Sequence, residues 1–432
     1  MPHPAFSVSP LLLVPFAGLL LAIALFPVFG GGFWEKNKNK LLVSVLLSLP
    51  VLAVFLAAGQ GARIYDSLVF DYLPFIVLLG ALFVITGNIH LAGDIEARPR
   101  TNALFMAAGA VLASIMGTTG AAMLLIRPLL QTNKERHFKS HTVLFFIGIV
   151  ANCGGLLTPL GDPPLFMMYL RGAPFTWFFR LFPEWLFVNG LLVLIYLAVD
   201  TRLHRREPAR ALKRDAEEIK PIRLHGGLNF VWLAGVVAAV GLLNGHVLPA
   251  LEAAPYARFV REGAILLMAG LSWLTTRPHV RYYNRFTWHP IEEVAWLFLG
   301  IFVTMVPCLI YLETHAASLG VSGPVPFYYA TGVLSSFLDN TPTAVTFHSL
   351  ALGLGPAAGP LAAGIPAALL KAISAGAVFF GSMTYIGNGP NFMVRCVAES
   401  HGVRMPHFFA YMLKFSLPVL LPIFVLSQLL FL

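Results

Sequence analysis

The stretch Leu157–Met168, LTPLGDPPLFMM, interrupts a long apolar run with Thr158, Pro159, Gly161, Asp162, Pro163 and Pro164. Proline has no N–H to give and clashes with the preceding turn, so two in series cannot continue a helix. Apolar sequence nevertheless lies on both sides, from Val143 to Val150 and from Leu165 to Leu170. The pattern predicts a membrane helix over 141–170, broken near mid-depth, with a carboxylate at the break. Irregular backbone survives inside a bilayer only where protein encloses it or where it lines a wet cavity. The rest of the chain must therefore build that enclosure.

A second copy of the feature follows at Ser382–Val394, SMTYIGNGPNFMV. At one constant offset Thr158 matches Thr384, Gly161 matches Gly387, and Asp162 matches Asn388. Pro164, Phe166 and Met167 then match Pro390, Phe392 and Met393. A further pair precedes them in the same order: LASIMGTTGAAMLL from Leu112 aligns with LSSFLDNTPTAVTF from Leu334. Two matches at nearly one spacing argue for an internal duplication, the usual build of secondary transporters.

Composition agrees. The chain is 57% hydrophobic and 11% charged, outside the range of a soluble globular protein. Its net charge of +9 would suggest a nucleic-acid partner in a soluble protein, but basic cytoplasmic loops of a membrane protein account for it, and no nucleic acid is expected. Cys153, Cys308 and Cys396 form no disulfide framework and no zinc spacing. The first apolar run, Leu11–Phe29, lacks a basic leader and is long enough to span, so it reads as a retained helix.

About 20 apolar residues cross the hydrocarbon as a helix. On that scale the spans are 10–29, 41–59, 74–92, 141–170 (broken), 182–200, 228–248, 262–276, 291–312, 366–394 (broken) and 407–430. Two further apolar stretches, 103–130 and 325–352, carry polar centres at Gly117-Thr118-Thr119-Gly120 and Asp339-Asn340-Thr341-Pro342. They read as re-entrant hairpins; ordinary kinked spans are the alternative. Charge favours re-entry. With both termini outside, the cytoplasmic loops hold 21 Lys or Arg, eight of them between Arg202 and Arg223, whereas the outer loops hold only Arg63, Arg171, Arg180, Arg258 and Arg261. Basic loops flank the first hairpin and loops without Lys or Arg flank the second, so the two enter from opposite faces. The expected fold is an all-α polytopic membrane protein built as an inverted repeat. Residues 1–200 and 228–432 each supply five crossings, one of them broken, plus one hairpin. A basic cytoplasmic linker, 201–227, joins them as a surface helix or a mobile connector.

Inversion brings the hairpin tips and helix breaks together at the midplane. The tips offer Ser114, Thr118 and Thr119, then Ser335, Ser336, Asp339, Asn340 and Thr341. The breaks offer Thr158 and Asp162, then Thr384, Asn388 and Asn391, with Asn152 just before the first break. Hydroxyl, amide and carboxylate oxygens are hard ligands that suit Na⁺ or Li⁺. Asp162 and Asp339 carry the chemistry. A charge at the bilayer centre costs at least ~2.5–3.5 kcal/mol on insertion scales, so each acid must hold an ion or a proton. Alternation between the two is cation/proton exchange. A plainer reading stands beside it: Asp162 before Pro163, Asn388 in the other half, and Thr341 before Pro342 all fit helix caps. Arg127 and Lys371 read as side chains reaching the interface, and His348 as packed. No phosphate-binding loop occurs, so neither a pump nor an enzyme is expected, and no cofactor beyond Na⁺ and H⁺.

GDPP after an unwound TPL, SSFLDNTPTAV at a hairpin tip and the second copy resemble the ion transporter superfamily over about 75–430. The nearest likeness is to its ArsB/NhaD sodium:proton antiporter and citrate-transport branches. The resemblance implies a scaffold part and a mobile transport part, a homodimer, elevator-like movement, and a bacterial inner-membrane location. Sodium–proton antiporters of the NhaD type are similar at Asp162 and Asp339. Dicarboxylate carriers carry Ser-Asn-Thr at both tips. Here Asn340-Thr341 remain behind an inserted Asp339, and the other tip has Gly117-Thr118-Thr119. Na⁺/H⁺ antiport is thus the leading expectation. Cation-coupled citrate or dicarboxylate symport, with Thr119 and Asn391 touching the anion, is the runner-up. Single cysteines introduced in 98–100 and 201–227 should react with a membrane-impermeant thiol reagent from the cytoplasmic side only; labelling of 201–227 from outside would reverse the orientation.

Overall fold

Hydrocarbon offers no hydrogen bonds to a backbone, so a spanning chain satisfies its own N–H and C=O groups, and a helix does this within one segment. The structure is a computed structural model that describes residues 6–252, 254, 256–355 and 359–432. It is an all-α polytopic membrane protein, with the described strands confined to two short antiparallel pairs. Among the described residues six helices are long and apolar enough to cross a membrane: Asn37–Ala57, Gly61–Gly87, Ser140–Leu157, Phe175–His204, His289–Leu319 and Phe408–Phe431. Shorter apolar helices cover Pro10–Phe26, Asn229–Leu242 and Ala367–Met383. The remaining expected span, 262–276, is the helix Phe259–Thr275, whose Arg261 and Glu262 pair with each other at its start.

Eight central helices carry the motifs. The first hairpin is α1 (Pro99–Met116) and α2 (Thr118–Thr132). The first broken helix is α3 (Ser140–Ile149) and α4 (Pro163–Leu170). The second hairpin is α5 (Pro324–Ser335) and α6 (Asn340–Gly353), and the second broken helix is α7 (Ala367–Phe380) and α8 (Gly389–Ser400). The outgoing arm of each hairpin packs on the second half-helix of the other copy: α2 on α8, and α6 on α4. The pairing is the same with the halves exchanged.

Burial separates inside from outside. The apolar window of Ser140–Leu157 is 78% buried and that of His289–Leu319 67%, against 28% for Asn37–Ala57. The first two are therefore interior elements. Asn37–Ala57 keeps Leu42, Leu46, Leu49 and Leu56 exposed along one side, the surface a lipid-facing helix presents.

Two expectations change here, and a third is sharpened. The third span was placed over 74–92, but its helix ends at Gly87 and His90–Asp94 forms β1. The reason lies in the linker. Lys220–His225 forms β2 and pairs antiparallel with β1, His90 opposite His225. Of its two expected forms the linker takes the first, a surface helix, and the chain around it is tied down. Its helix Ala209–Glu217 places Asp215 Oδ2 to accept from Ala97 N at 2.8 Å. Ahead of it, the buried Glu207 accepts from His137 N and Phe138 N, both at 2.9 Å, beside the buried Arg136–Asp200 pair at 2.7 Å. Asp94 Oδ2 sits 2.7 Å from Lys134 Nζ and holds that ammonium protonated well above the usual lysine range. Lastly, Lys371 does not merely reach the membrane surface; it pairs with the buried Glu184. His348 is packed as expected, its Nε2 2.8 Å from Ala363 O.

Because Glu207 satisfies two loop N–H groups and faces a buried guanidinium, Glu207→Ala should destabilise the protein by about 2–4 kcal/mol. Chemical unfolding of the detergent-purified chain, followed by tryptophan fluorescence, reads this directly.

Candidate ion and substrate site

Each break is a short irregular bridge stapled to a hairpin. In the first, a tight turn Cys153–Leu157 leads to Thr158 in extended backbone (φ −143°, ψ 160°); in the second, Gly381–Met383 leads to Thr384 (φ −139°, ψ 168°). The Thr158 hydroxyl donates to Ser114 O, and the Thr384 hydroxyl donates to Ser336 O. Thr158 Oγ1 also accepts from Leu160 N at 3.2 Å, and Thr384 Oγ1 from Ile386 N at 3.2 Å and Gly387 N at 3.0 Å. Both threonines thus hold the break against the tip. Ser114 Oγ donates to Gly154 O at 2.5 Å and accepts from Leu157 N at 3.2 Å. Ser336 Oγ lies 2.9 Å from Gly332 O and 3.2 Å from Phe380 O.

The breaks close on themselves only because glycine stands at the crossing. A Cβ on Gly161 would lie 2.0 Å from Gly155 O, and one on Gly387 2.6 Å from Gly381 O. The first hairpin turns at Gly117 with φ 82°, a conformation L side chains rarely adopt, and Thr118 N donates to Gly161 O at 2.8 Å.

Next come Asp162 and Asn388, each in extended backbone at the N-cap position of its half-helix (φ −142° and −145°). Neither side chain caps its helix. The Asp162 carboxylate is fully buried and faces both halves. Its Oδ1 accepts from Thr118 Oγ1 at 3.0 Å and from Asn388 Nδ2 at 3.3 Å, and its Oδ2 accepts from Asn340 Nδ2 at 2.9 Å. Thr118 and Asn340 are equivalent positions of the two tips. The repeat therefore delivers one donor from each hairpin to the two oxygens of one acid. No cationic side chain pairs with Asp162 among the described residues.

The other residues extend this network. Asn340 Oδ1 accepts from Ser335 Oγ at 2.6 Å. Asn152 Oδ1 accepts from Asn388 Nδ2 at 3.1 Å, and Asn152 Nδ2 donates to Asn391 Oδ1 at 2.6 Å. Asn391 Nδ2 in turn donates to Gly381 O at 2.8 Å and Thr384 O at 2.9 Å. Asp339 behaves differently from Asp162. It is half-buried and caps α6, accepting from Thr341 N at 2.9 Å. The side-chain cap read at Asp162, Asn388 or Thr341 is thus made instead by Asp339. Thr341 Oγ1 is buried without a hydrogen-bond partner among the described residues.

A cavity of about 350 Å³ opens beside these tips. Thr118, Thr119, Asp339 and Asn388 line one end, Arg127, Asn284 and Arg285 another, and apolar side chains the walls between. Thr119, expected to touch a ligand, lines it; Asn391 is not among its lining residues. The cationic end was not foreseen. Thr119, Met123 and Arg127 follow one another at four-residue spacing on one face of α2, and that spacing was the available signal. Arg127 was read as reaching the membrane surface; instead its Nη1 donates to Asn284 O at 2.6 Å.

A family model described as "putative citrate transport" matches residues 5–432. No curated protein matches the chain. Gly161→Ala should strip the protein of its folded form, whereas Gly389→Ala, where an added Cβ meets nothing within 4 Å, should leave it folded. Fluorescence-detected size-exclusion chromatography of tagged variants distinguishes the two.

Proposed function

The chain belongs to this citrate-transport family and is a membrane transporter, and we propose that it exchanges Na⁺ for H⁺ at Asp162. The observation that carries the reading is a fully buried carboxylate whose partners are all neutral: Thr118, Asn340 and Asn388. A buried charge without a counter-charge is costly, so the acid takes up a proton or a small cation. The carboxylate oxygens and the Thr118 hydroxyl beside them are hard ligands that suit Na⁺. Proton and cation compete for the same two oxygens, and competition at one site is the minimum an exchanger needs.

Asp339, on the cavity wall, adds a second carboxylate next to Asn340, the tip residue that holds Asp162. The exchanged packing of α2 on α8 and α6 on α4 supports a two-fold duplication, and the basic charge of residues 201–227 supports a cytoplasmic linker and hence inversion of the second half. In such a build, movement of one group of tips past its surroundings exposes the site to alternate sides. A homodimer would anchor that movement.

A second reading has its own support. The cavity is far larger than a dehydrated sodium ion needs, and two guanidinium groups line it. Cation-coupled carboxylate symport would use Asp162 for the coupling ion and the cavity for the anion.

Energised everted vesicles separate these cycles. Antiport predicts that added Na⁺ or Li⁺ evokes proton efflux and that Asp162→Asn reduces it to background with the protein still in the membrane. Uptake of labelled citrate without a cation-evoked proton response would replace antiport with symport.

A further inference from the structure

We propose that the cavity beside the hairpin tips is a binding site for a monocarboxylate with an apolar body, an aromatic or short aliphatic acid. The site goes beyond cation exchange. Two arginines mark one end of the cavity. Arg127, half-buried, and Arg285, exposed to water at the mouth, both line the cavity, and neither is paired with a carboxylate among the described residues. One Arg127 nitrogen is engaged by Asn284 O, which aims the guanidinium and leaves its other nitrogens for a ligand. Arg285 adopts φ 50°, one of two positive values among the described non-glycine residues. A side chain held on a left-handed backbone is placed there against its local preference.

Electrostatics then chooses the sign of the ligand. Two guanidinium groups at one end concentrate anions and repel a small cation, so a simple entry path for Na⁺ does not account for them. Guanidinium also matches a carboxylate in a planar, two-bond geometry.

The walls choose the rest of the ligand. From Thr119 to Arg127 the helix rises about 12 Å, and the surface alongside is Leu82, Phe83, Met123, Phe166, Phe286 and Phe298. An apolar body gains by leaving water there. A tricarboxylate does not. Two arginines satisfy at most two of its charged groups, the third would be buried without a partner, and Asp339 on the wall would repel it. The same chemistry that accepts one carboxylate on an apolar body rejects several carboxylates on a small one.

The test is thermal stabilisation of the detergent-purified full chain at equal concentrations of benzoate, hexanoate, citrate and sulfate. Benzoate and hexanoate should raise the unfolding temperature, and citrate and sulfate should not. Arg127→Gln and Arg285→Gln should each weaken benzoate binding roughly tenfold or more, in line with loss of a charge-assisted pair. Met123→Gln should weaken it too, which a purely ionic site would not show. Stabilisation of the variants by Na⁺ reports that they are folded. Citrate or sulfate binding as well as benzoate would overturn the proposal, as would benzoate binding unaffected by all three substitutions. Failure of benzoate binding with Na⁺ stabilisation intact would overturn it while leaving cation exchange at Asp162 standing.

Discussion

One carboxylate joins everything. Asp162 sits at a break in the first half, yet its oxygens are held by Thr118 from the first hairpin and by Asn340 and Asn388 from the second half. The two hairpins and both breaks must be in place for those three donors to converge. A buried acid left with fewer partners would be destabilising, so the requirement runs in both directions: the fold completes the site, and the filled hydrogen-bond set holds the halves in register.

The matched motifs agree in geometry and differ in their acids. Thr158 and Thr384 staple equivalent breaks to equivalent tips, and Gly161 and Gly387 make equivalent close approaches. A symmetric pair of acids would instead put two like charges in one cage. Asp162 is matched by Asn388, and Asp339 is matched by Gly117. Each half thus supplies one aspartate, at non-equivalent positions, and only one of them faces the centre of the network. The other caps α6 and borders the cavity. Substitution of a donor amide for the second acid turns a repulsive contact into a hydrogen bond.

Much of this was legible in the residue string. An apolar run interrupted by paired prolines located the first break, and recurrence of the pattern located its counterpart. The roles of individual hydroxyls were not legible. Thr158 and Thr384 look like ligands by type, but whether a threonine oxygen faces a cavity or a neighbouring carbonyl depends on a rotamer set by packing. The attachment of the linker was not legible for a related reason. Its charge describes how it meets water, whereas its pairing with His90–Asp94 depends on a strand 126 residues or more away in the chain.

The sequence by itself determined that the chain lives in a membrane, that two motifs recur in the same order, and which short stretches cannot be regular helix. These follow from local facts: hydropathy, proline's missing N–H and the recurrence of one pattern. Only the tertiary structure decided that Asp162 rather than Asp339 is the fully enclosed acid, and that Arg127 and Arg285 meet at one end of a cavity. Both outcomes depend on which distant side chains arrive at the same place. Such meetings are properties of packing, on which residue spacing along the chain places no direct constraint.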